Sequence, residues 1–365
     1  MKNTFGNAIG VTLFGESHGE CIGAVLDGIA PGIKIDGEYI KRKLDQRRPR
    51  GKISTARVEG DEYSIVSGVY NGYTTGTPLT LIIPNTNKRS GDYDNIAFTP
   101  RPSHADYSAY CKYHGYEDRR GGGHFSGRIT AALVAVGAIL ASALETRGIK
   151  IGTHISRLHG VSDAGFTDHE SDIAALDTRL FPTLSVEAGE KMVAEIGAAG
   201  ATHDSVGGIL ETAVVGMPEG VGEPWFDTLE GVLAHALFSV PAIKGVEFGA
   251  GFGVADMYGS EANDPYRIEG DRVVTATNNN GGITGGISNG MPIIFRCAVK
   301  PTPSISKEQQ SVDIAKMENT DIRIEGRHDP AIIHRARAVV DAVAAIAIAD
   351  MLTARYGTDY LGEKK

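Results

Sequence analysis

Two long stretches of this chain are apolar or small at nearly every position, and they constrain the fold more than any other feature. The first is 130–144, and the second is 337–352, whose only charges are Arg337, Asp341 and Asp350. The patterns predict helices over 126–147 and 330–355. Because a helix that is apolar on all sides must be covered on more than one face, we expect both helices to lie between β-sheets.

Short runs rich in β-branched and aromatic residues, bounded by Gly, Pro or Asn, predict strands. They cover 9–14, 63–70, 79–84, 208–215, 246–254 and 292–299. Shorter helices are predicted over 38–46, 187–199 and 228–237. Short turns between strands favour antiparallel pairing over parallel crossovers. With no Pro/Ser-rich linker or repeat, the pattern indicates one large mixed α/β domain over residues 1–365 with internal helices.

The charge balance and the cysteines exclude several classes of protein. Lysine and arginine total 36 against 45 acidic residues, a net charge of −9, which argues against a general nucleic-acid binder. The cysteines are Cys21, Cys111 and Cys297. Their spacing supports neither a disulfide framework nor a zinc site, and the dispersed histidines predict no metal site. No signal sequence is evident, and the apolar run at 131–144 is too short to span a bilayer. We therefore expect a reduced, cytoplasmic protein.

A basic cluster stands out in this acidic chain. Residues 41–57 hold eight basic side chains and one acidic one. The first three, at 41–43, are expected on the solvated face of a short helix. Arg47, Arg48 and Arg50 are expected in the loop that follows. Arginine binds phosphate and carboxylate bidentately, so this loop is either an anion site or a solvated loop.

Two further segments present a histidine, the side chain best suited to exchange a proton near neutral pH. GESHG at 15–19 follows the first strand and carries His18. In RPSHADY, at 101–107, flanking prolines predict an extended loop that presents Arg101 and His104. The residues alone leave open a structural histidine in the first segment and a plain polar turn in the second.

Glycine-rich segments add candidate ligand sites. RRGGGHFSGR, at 119–128, leads into the first apolar helix, and a Gly-rich loop at a helix N-terminus favours an anion site. NNNGGITGGISNG, at 278–290, allows close backbone approach to a flat ligand. KPTPSI at 300–305 follows at a strand end. Each of these segments also fits a simple turn.

GRHDP, at 326–330, comes directly before the second apolar helix. Asp329 fits the N-cap of that helix and Pro330 its first turn. Arg327, by contrast, has no structural role at such a position. The segment therefore combines a capping pattern with an unexplained cation.

In this order, the motifs resemble those of the chorismate synthase family. The matching segments are GESHG at 15–19, RRPRG at 47–51, RPSHADY at 101–107 with KY at 112–113, RGGGHFSGRIT at 120–130, NNGGITGGISNG at 279–290, KPTPSI at 300–305 and GRHDP at 326–330. The resemblance implies an α+β fold, a single large β–α–β sandwich with helices packed between antiparallel sheets, and a homotetramer. It also implies conversion of 5-enolpyruvylshikimate 3-phosphate to chorismate and phosphate, a 1,4-elimination at the last common step of the shikimate pathway. The family's reaction requires reduced FMN and has no net redox change.

The resemblance also assigns roles to residues. It implies that His18 is the acid for the leaving phosphate, His104 the donor that sustains the reduced flavin, and Asp329 the partner of flavin N5. The implied substrate ligands are Arg47, Arg101, Arg128 and Arg327. The implied flavin contacts are His124, Phe125, Ser126, Gly285, Lys300, Pro301, Thr302, Pro303, Ser304 and Arg327. Arg47 and Lys52 lie near positions that the family links to NADP.

Departures from the family pattern occur at His124, Gly127, Ile129, Pro241 and Arg337. They affect expected flavin contacts and leave His18, His104 and Asp329 in place. The chain lacks an extra reductase insertion, so we expect reduced flavin to come from an external flavin reductase, with NADPH only as an indirect reductant. The rival hypotheses are a flavin-dependent oxidoreductase and a non-enzymatic anion-binding module.

Overall fold

The computed structural model describes residues 2–49, 53–54, 60–86, 98–324 and 328–363. Its strands are β1 (Thr4–Phe5), β2 (Gly10–Gly15), β3 (Cys21–Asp27), β4 (Ser64–Ser67), β5 (Val69–Tyr70), β6 (Tyr73–Thr74), β7 (Leu79–Pro84), β8 (Lys150–Leu158), β9 (Val161–Ser162), β10 (Gly208–Val215), β11 (Ile243–Phe248), β12 (Tyr266–Glu269), β13 (Arg272–Thr275), β14 (Ile283–Thr284), β15 (Ile287–Ser288), β16 (Ile293–Val299), β17 (Gln309–Asp313) and β18 (Glu318–Ile322). Its α-helices are α1 (Gly37–Arg47), α2 (Asp106–Tyr113), α3 (Thr130–Glu145), α4 (His169–Thr178), α5 (Val186–Ala201), α6 (Leu229–Ser239), α7 (Gly259–Ala262) and α8 (Ile333–Tyr356). Short 3₁₀ turns cover Arg120–Phe125, Gly127–Ile129 and Gly251–Asp256.

Two five-stranded antiparallel sheets form the frame of the fold. The first has the strand order β1-β2-β3-β7-β4, and the second has the order β11-β16-β10-β8-β9. Every pairing in both sheets is antiparallel. The prediction of antiparallel sheets is therefore confirmed.

The helices α3 and α8 lie between the sheets. α3 packs on β3 and β7 of the first sheet and on β8 of the second, and α8 packs on α3, β8 and β10. Every residue of 337–353 is buried. The segment Gly127–Thr146 is long and apolar enough to cross a membrane, so the expectation from 131–144 that it is too short is wrong. However, 83% of its most apolar stretch is buried inside the protein. It is a core helix, as its all-round apolar pattern predicts.

Several element bounds differ from the sequence-based prediction. The strands at 79–84 and 208–215 are confirmed residue for residue as β7 and β10. The predicted strand 246–254 instead begins at Ile243 and ends at Phe248. The central strands β3 and β8 were not predicted. Four of the seven residues of β3 are buried, three of them in succession, so the strand has no polar alternation to reveal it. It also contains Gly23, where a Cβ would lie 2.2 Å from the Phe14 ring.

The contact between α3 and α8 depends on Gly137. A Cβ at this position would lie 2.5 Å from Cβ of Ala342 and 2.7 Å from its Cα. Gly137→Ala is therefore expected to destabilise the protein by about 1–3 kcal/mol through overpacking, measured by urea unfolding. Gly197→Ala is the matched control, because a Cβ there would meet no described atom within 4 Å. It should stabilise α5 by about 0.5–1 kcal/mol, and equal effects of the two substitutions would contradict this packing.

Candidate functional site

A cavity of about 1010 Å³ opens beside the inter-sheet helices. Its apolar wall comes from α3 and α8, including Leu133, Val339, Val343 and Ile346. Its polar wall comes from the loops before α2 and α3, the segment at 300–304 and the segment before α8. A cavity of this kind, apolar with a few convergent polar groups, is typical of a small-molecule site.

Asp106 holds Arg101 at the cavity wall. The guanidinium of Arg101 donates to both carboxylate oxygens of Asp106, each at 2.8 Å, and the Arg101 backbone N–H donates to the same carboxylate. Arg101 is buried, and α2 begins at Asp106. The predicted extended, presented loop is thus wrong in part, because the Asp106 carboxylate folds it back on itself.

His104 lies in the same loop and reaches across to the segment at 300–304. Its Nε2 is 2.7 Å from Ser304 Oγ, and Lys300 donates to the Ser103 carbonyl at 2.6 Å. Burial, with the nearby cations Arg101 and Lys300, lowers the pKa of His104 to about 4 against the smaller opposing effect of Asp106. The imidazole is therefore neutral at neutral pH.

Asp61 joins two of the predicted substrate ligands. Its carboxylate accepts from Arg47 Nη1 at 3.2 Å and pairs with Arg128 Nη1. Arg47 also donates to Thr130 Oγ1 and Arg128 to Asn85 Oδ1, each at 3.0 Å. Both arginines line the cavity and are buried, as is Asp61. Arg47 belongs to the last turn of α1 rather than to a loop.

The three glycines of the RGGG motif lie against the GESHG segment. Gly121, Gly122 and Gly123 all have positive φ, and Ser17 N–H donates to the Gly123 carbonyl at 3.1 Å. A Cβ at Gly121 would lie 2.1 Å from Cε1 of His18. His18 is therefore packed behind Gly121, which itself lines the cavity. These glycines lie in the first 3₁₀ turn, and a second one, Gly127–Ile129, separates them from α3, so they do not form its N-terminus as expected.

Asp329 is held by a salt bridge. Its Oδ2 accepts from Arg335 Nη1 at 2.7 Å, and both residues line the cavity. α8 begins at Ile333, and within this described segment its N-cap residue, Ile332, makes no side-chain cap hydrogen bond. The interpretation of Asp329 as the N-cap of this helix is thus wrong.

Comparisons with known proteins agree with this arrangement. The family profile described as chorismate synthase matches residues 9–353. The chorismate synthase of Pyrococcus abyssi is 48% identical over 350 residues, covering 96% of this chain and 97% of that protein. The chain belongs to the chorismate synthase family. Its activity is the conversion of 5-enolpyruvylshikimate 3-phosphate to chorismate in the shikimate pathway, as the resemblance implies.

Other relatives point the same way. The chorismate synthase of Methanosarcina barkeri is 45% identical over 349 residues, covering 95% of each chain. A solved crystal structure of chorismate synthase superposes with a TM-score of 0.76 at 29% identity, covering 97% of this chain and 94% of that one. The predicted fold class is thereby confirmed.

The structure brings most of the predicted site residues to one cavity. Those that line it are Arg47, Arg101, His104, His124, Phe125, Ser126, Arg128, Lys300, Thr302, Pro303, Ser304 and Asp329. Three predicted residues of the described chain lie outside the lining. His18 is buried behind Gly121, Pro301 lies at an exposed strand end, and Gly285 lies in the turn between β14 and β15. Lys52 and Arg327 lie outside the described residues.

Several cavity residues were not singled out from the sequence. They are Asp61, Asp106, His235, His328 and Arg335, of which Asp61 lies behind the lining. His328 lies within the GRHDP motif and Arg335 lies five residues beyond it, while Asp106 lies within RPSHADY, so these motifs were a usable signal. Asp61 gave none, since its arginine partners are distant in sequence.

In the described part of the chain, no group of three His, Cys, Asp or Glu side chains is placed to hold a metal ion.

Proposed function

We propose that the elimination takes place in this cavity, with reduced FMN bound beside the substrate. The observation that supports it is the convergence of five separate motif segments on one cavity of about 1010 Å³. That volume is at the upper end of small-molecule sites, about 300–1,000 Å³, and suits two ligands. The apolar side chains of Leu133, Val339 and Val343 fit a flat ring system, and the arginines that also line the cavity fit anions. Reduced FMN, when bound, supplies electron density as the C–O bond to phosphate breaks and recovers it as the C6 hydrogen leaves.

The substrate carries a phosphate and two carboxylates, which call for fixed cations. We assign Arg47, Arg101 and Arg128 to these anions, together with Arg327. Asp61 and Asp106 hold three of these guanidinium groups in place before substrate arrives. Preorganised charge of this kind stabilises the developing phosphate without reorganisation during the reaction.

Three side chains are assigned to proton handling. His18 is proposed, on the family resemblance, to protonate the leaving phosphate; its ring lies next to the cavity-lining Gly121, and His18 itself does not line the cavity. His104, neutral and bonded to Ser304, is proposed to donate a hydrogen bond to the flavin. Asp329, fixed by Arg335, is proposed to be the side chain that would contact the flavin at N5 and would help the site take up the proton that leaves C6.

The supply of reduced flavin is also a proposal. Residues 9–353 match the chorismate synthase profile rather than a reductase. We therefore propose that a separate flavin reductase delivers reduced FMN in the cytoplasm, with NADPH acting only through that reductase. We further propose a homotetramer.

A direct assay tests the assignment of the cavity. Pure protein with FMN, dithionite and 5-enolpyruvylshikimate 3-phosphate under anaerobic conditions should release chorismate and phosphate in equal amounts, without net consumption of reductant. The difference spectrum of oxidised FMN should change when substrate is added, because both ligands share one cavity. Folded protein that gives no product overturns the assignment, and NADPH oxidation matched to substrate would favour the oxidoreductase instead.

A further inference from the structure

One guanidinium links two separate parts of the proposed site. Arg335 donates from Nη1 to Asp329 Oδ2 at 2.7 Å and from Nε to the backbone carbonyl of Arg47 at 2.9 Å. The Arg335 and Asp329 side chains are only 17% and 15% exposed. The bridge therefore joins the end of α1, which carries a proposed substrate ligand, to the proposed proton-handling carboxylate.

The position of Arg335 in its helix calls for such a partner. It is the third residue of α8, whose first turn reads Ile-His-Arg and contains no acidic residue. A cation is disfavoured there, since the N-terminus of a helix carries partial positive charge. Asp329 supplies the compensating negative charge. The Arg47 carbonyl is one of the last four of α1, which have no partner inside that helix.

The same helix contains a contrasting arginine. Arg337 donates to the backbone carbonyls of Leu176 and Arg179 and is buried away from the cavity. It ties α8 to the end of α4, which is a structural role. Arg335, by contrast, lines the cavity and contacts a carboxylate that also lines it. The backbone partners of Arg337 indicate a structural role, whereas the Asp329 carboxylate beside Arg335 places Arg335 at the proposed site.

We propose that Arg335 is a positioning residue for the elimination, acting through Asp329. By fixing Asp329 relative to the end of α1, it sets the distance between the proton-handling carboxylate and the anion bound by Arg47. Only the planar fork of a guanidinium can reach both acceptors in fixed geometry, whereas a lysine ammonium is a single point charge. This inference rests on the proposed function, because it requires Asp329 to take part in the reaction.

The test is a double-mutant cycle of Arg335→Gln, Asp329→Asn and the double variant, with Arg335→Lys added. Arg335→Gln should lower kcat by roughly 100-fold, the order expected when a reacting group is misplaced by about 1 Å, with a smaller change in KM. Arg335→Lys should recover part of that loss. The double variant should be no slower than Asp329→Asn alone, because both changes act through one group.

Two further measurements separate positioning from a general structural role. Arg335→Gln should keep its melting temperature near that of the parent and should still bind oxidised FMN in a fluorescence titration. Arg355→Gln is the matched control, since Arg355 is exposed in the last turn of the same helix, and it should leave kcat unchanged.

The outcomes are distinguishable. If Asp329→Asn is slow and Arg335→Gln is normal, or if their losses simply add, the positioning role is overturned while the role of Asp329 stands. If Asp329→Asn turns over normally, the proposed role of Asp329 is wrong and the inference fails with it. A large fall in melting temperature or in FMN binding for Arg335→Gln would show a structural role instead.

Discussion

Asp61→Asn is expected to destabilise the protein by about 3–5 kcal/mol, the usual cost of removing one partner from a buried ion pair. Asp61 is 3% exposed and pairs with Arg47 and Arg128, which are 3% and 8% exposed. Without the carboxylate, the two buried guanidinium groups would lose the acidic partner that they share. Asp61 has φ of 48°, and asparagine tolerates this left-handed conformation as well as aspartate does. The change therefore isolates the charge.

Urea unfolding measures this loss, and Asp204→Asn provides the control. Asp204 pairs with Lys307 at 2.6 Å, but both side chains are more than 40% exposed. Exposed pairs contribute at most about 1 kcal/mol. Equal losses for the two variants would show that Asp61 is not a buried counter-charge. In the absence of denaturant, the folded Asp61→Asn variant should also bind substrate more weakly, because Arg47 and Arg128 would lose the carboxylate that fixes their orientation.

The layered fold could be predicted from the sequence because the two long helices are apolar at nearly every position. A helix such as α8, which is apolar on every face, is stable in a protein in water only when other elements cover it on more than one side. The bounds of β7 and β10 followed from clear β-branched runs between turn residues. β3 was not predicted because a strand buried on both faces does not alternate polar and apolar residues. It also contains Gly23, which lies close to the Phe14 ring and which in a sequence resembles a strand breaker.

The candidate site was predictable in its cations and unpredictable in their partners. Arg47, Arg101 and Arg128 are visible as motif residues, whereas Asp61 becomes a partner only when α1, α3 and the segment before β4 fold together. Lys43 shows the same effect. It was expected on a solvated face, yet it is buried with its ammonium 2.6 Å from Asp177 of α4. Charge pairing between distant segments is a property of the fold and leaves no local pattern.

His104→Ala is expected to lower kcat by about 100-fold or more, the range for loss of a preorganised hydrogen-bond donor, with a smaller change in substrate KM. The imidazole contacts Ser304 Oγ at 2.7 Å. Its removal takes away a hydrogen-bond donor without disturbing Arg101, which Asp106 holds separately. His104→Gln should recover part of the activity, because its amide retains a donor.

The pH dependence of turnover gives an independent check on His104. Its pKa is lowered to about 4, first by burial and then by Arg101 and Lys300, so it is neutral throughout the range from pH 6 to 8. Protonation occurs only as the pH falls through about 4, and the parent and His104→Gln should therefore share the same pH–kcat profile above pH 5.5. A fall in kcat with an apparent pKa near 6.5 that is present in the parent and absent from His104→Gln would show that the imidazole titrates at its ordinary pKa. In that case the neutral-donor role would be wrong, since a histidine protonated at pH 6 could act on the bound ligands as a cation.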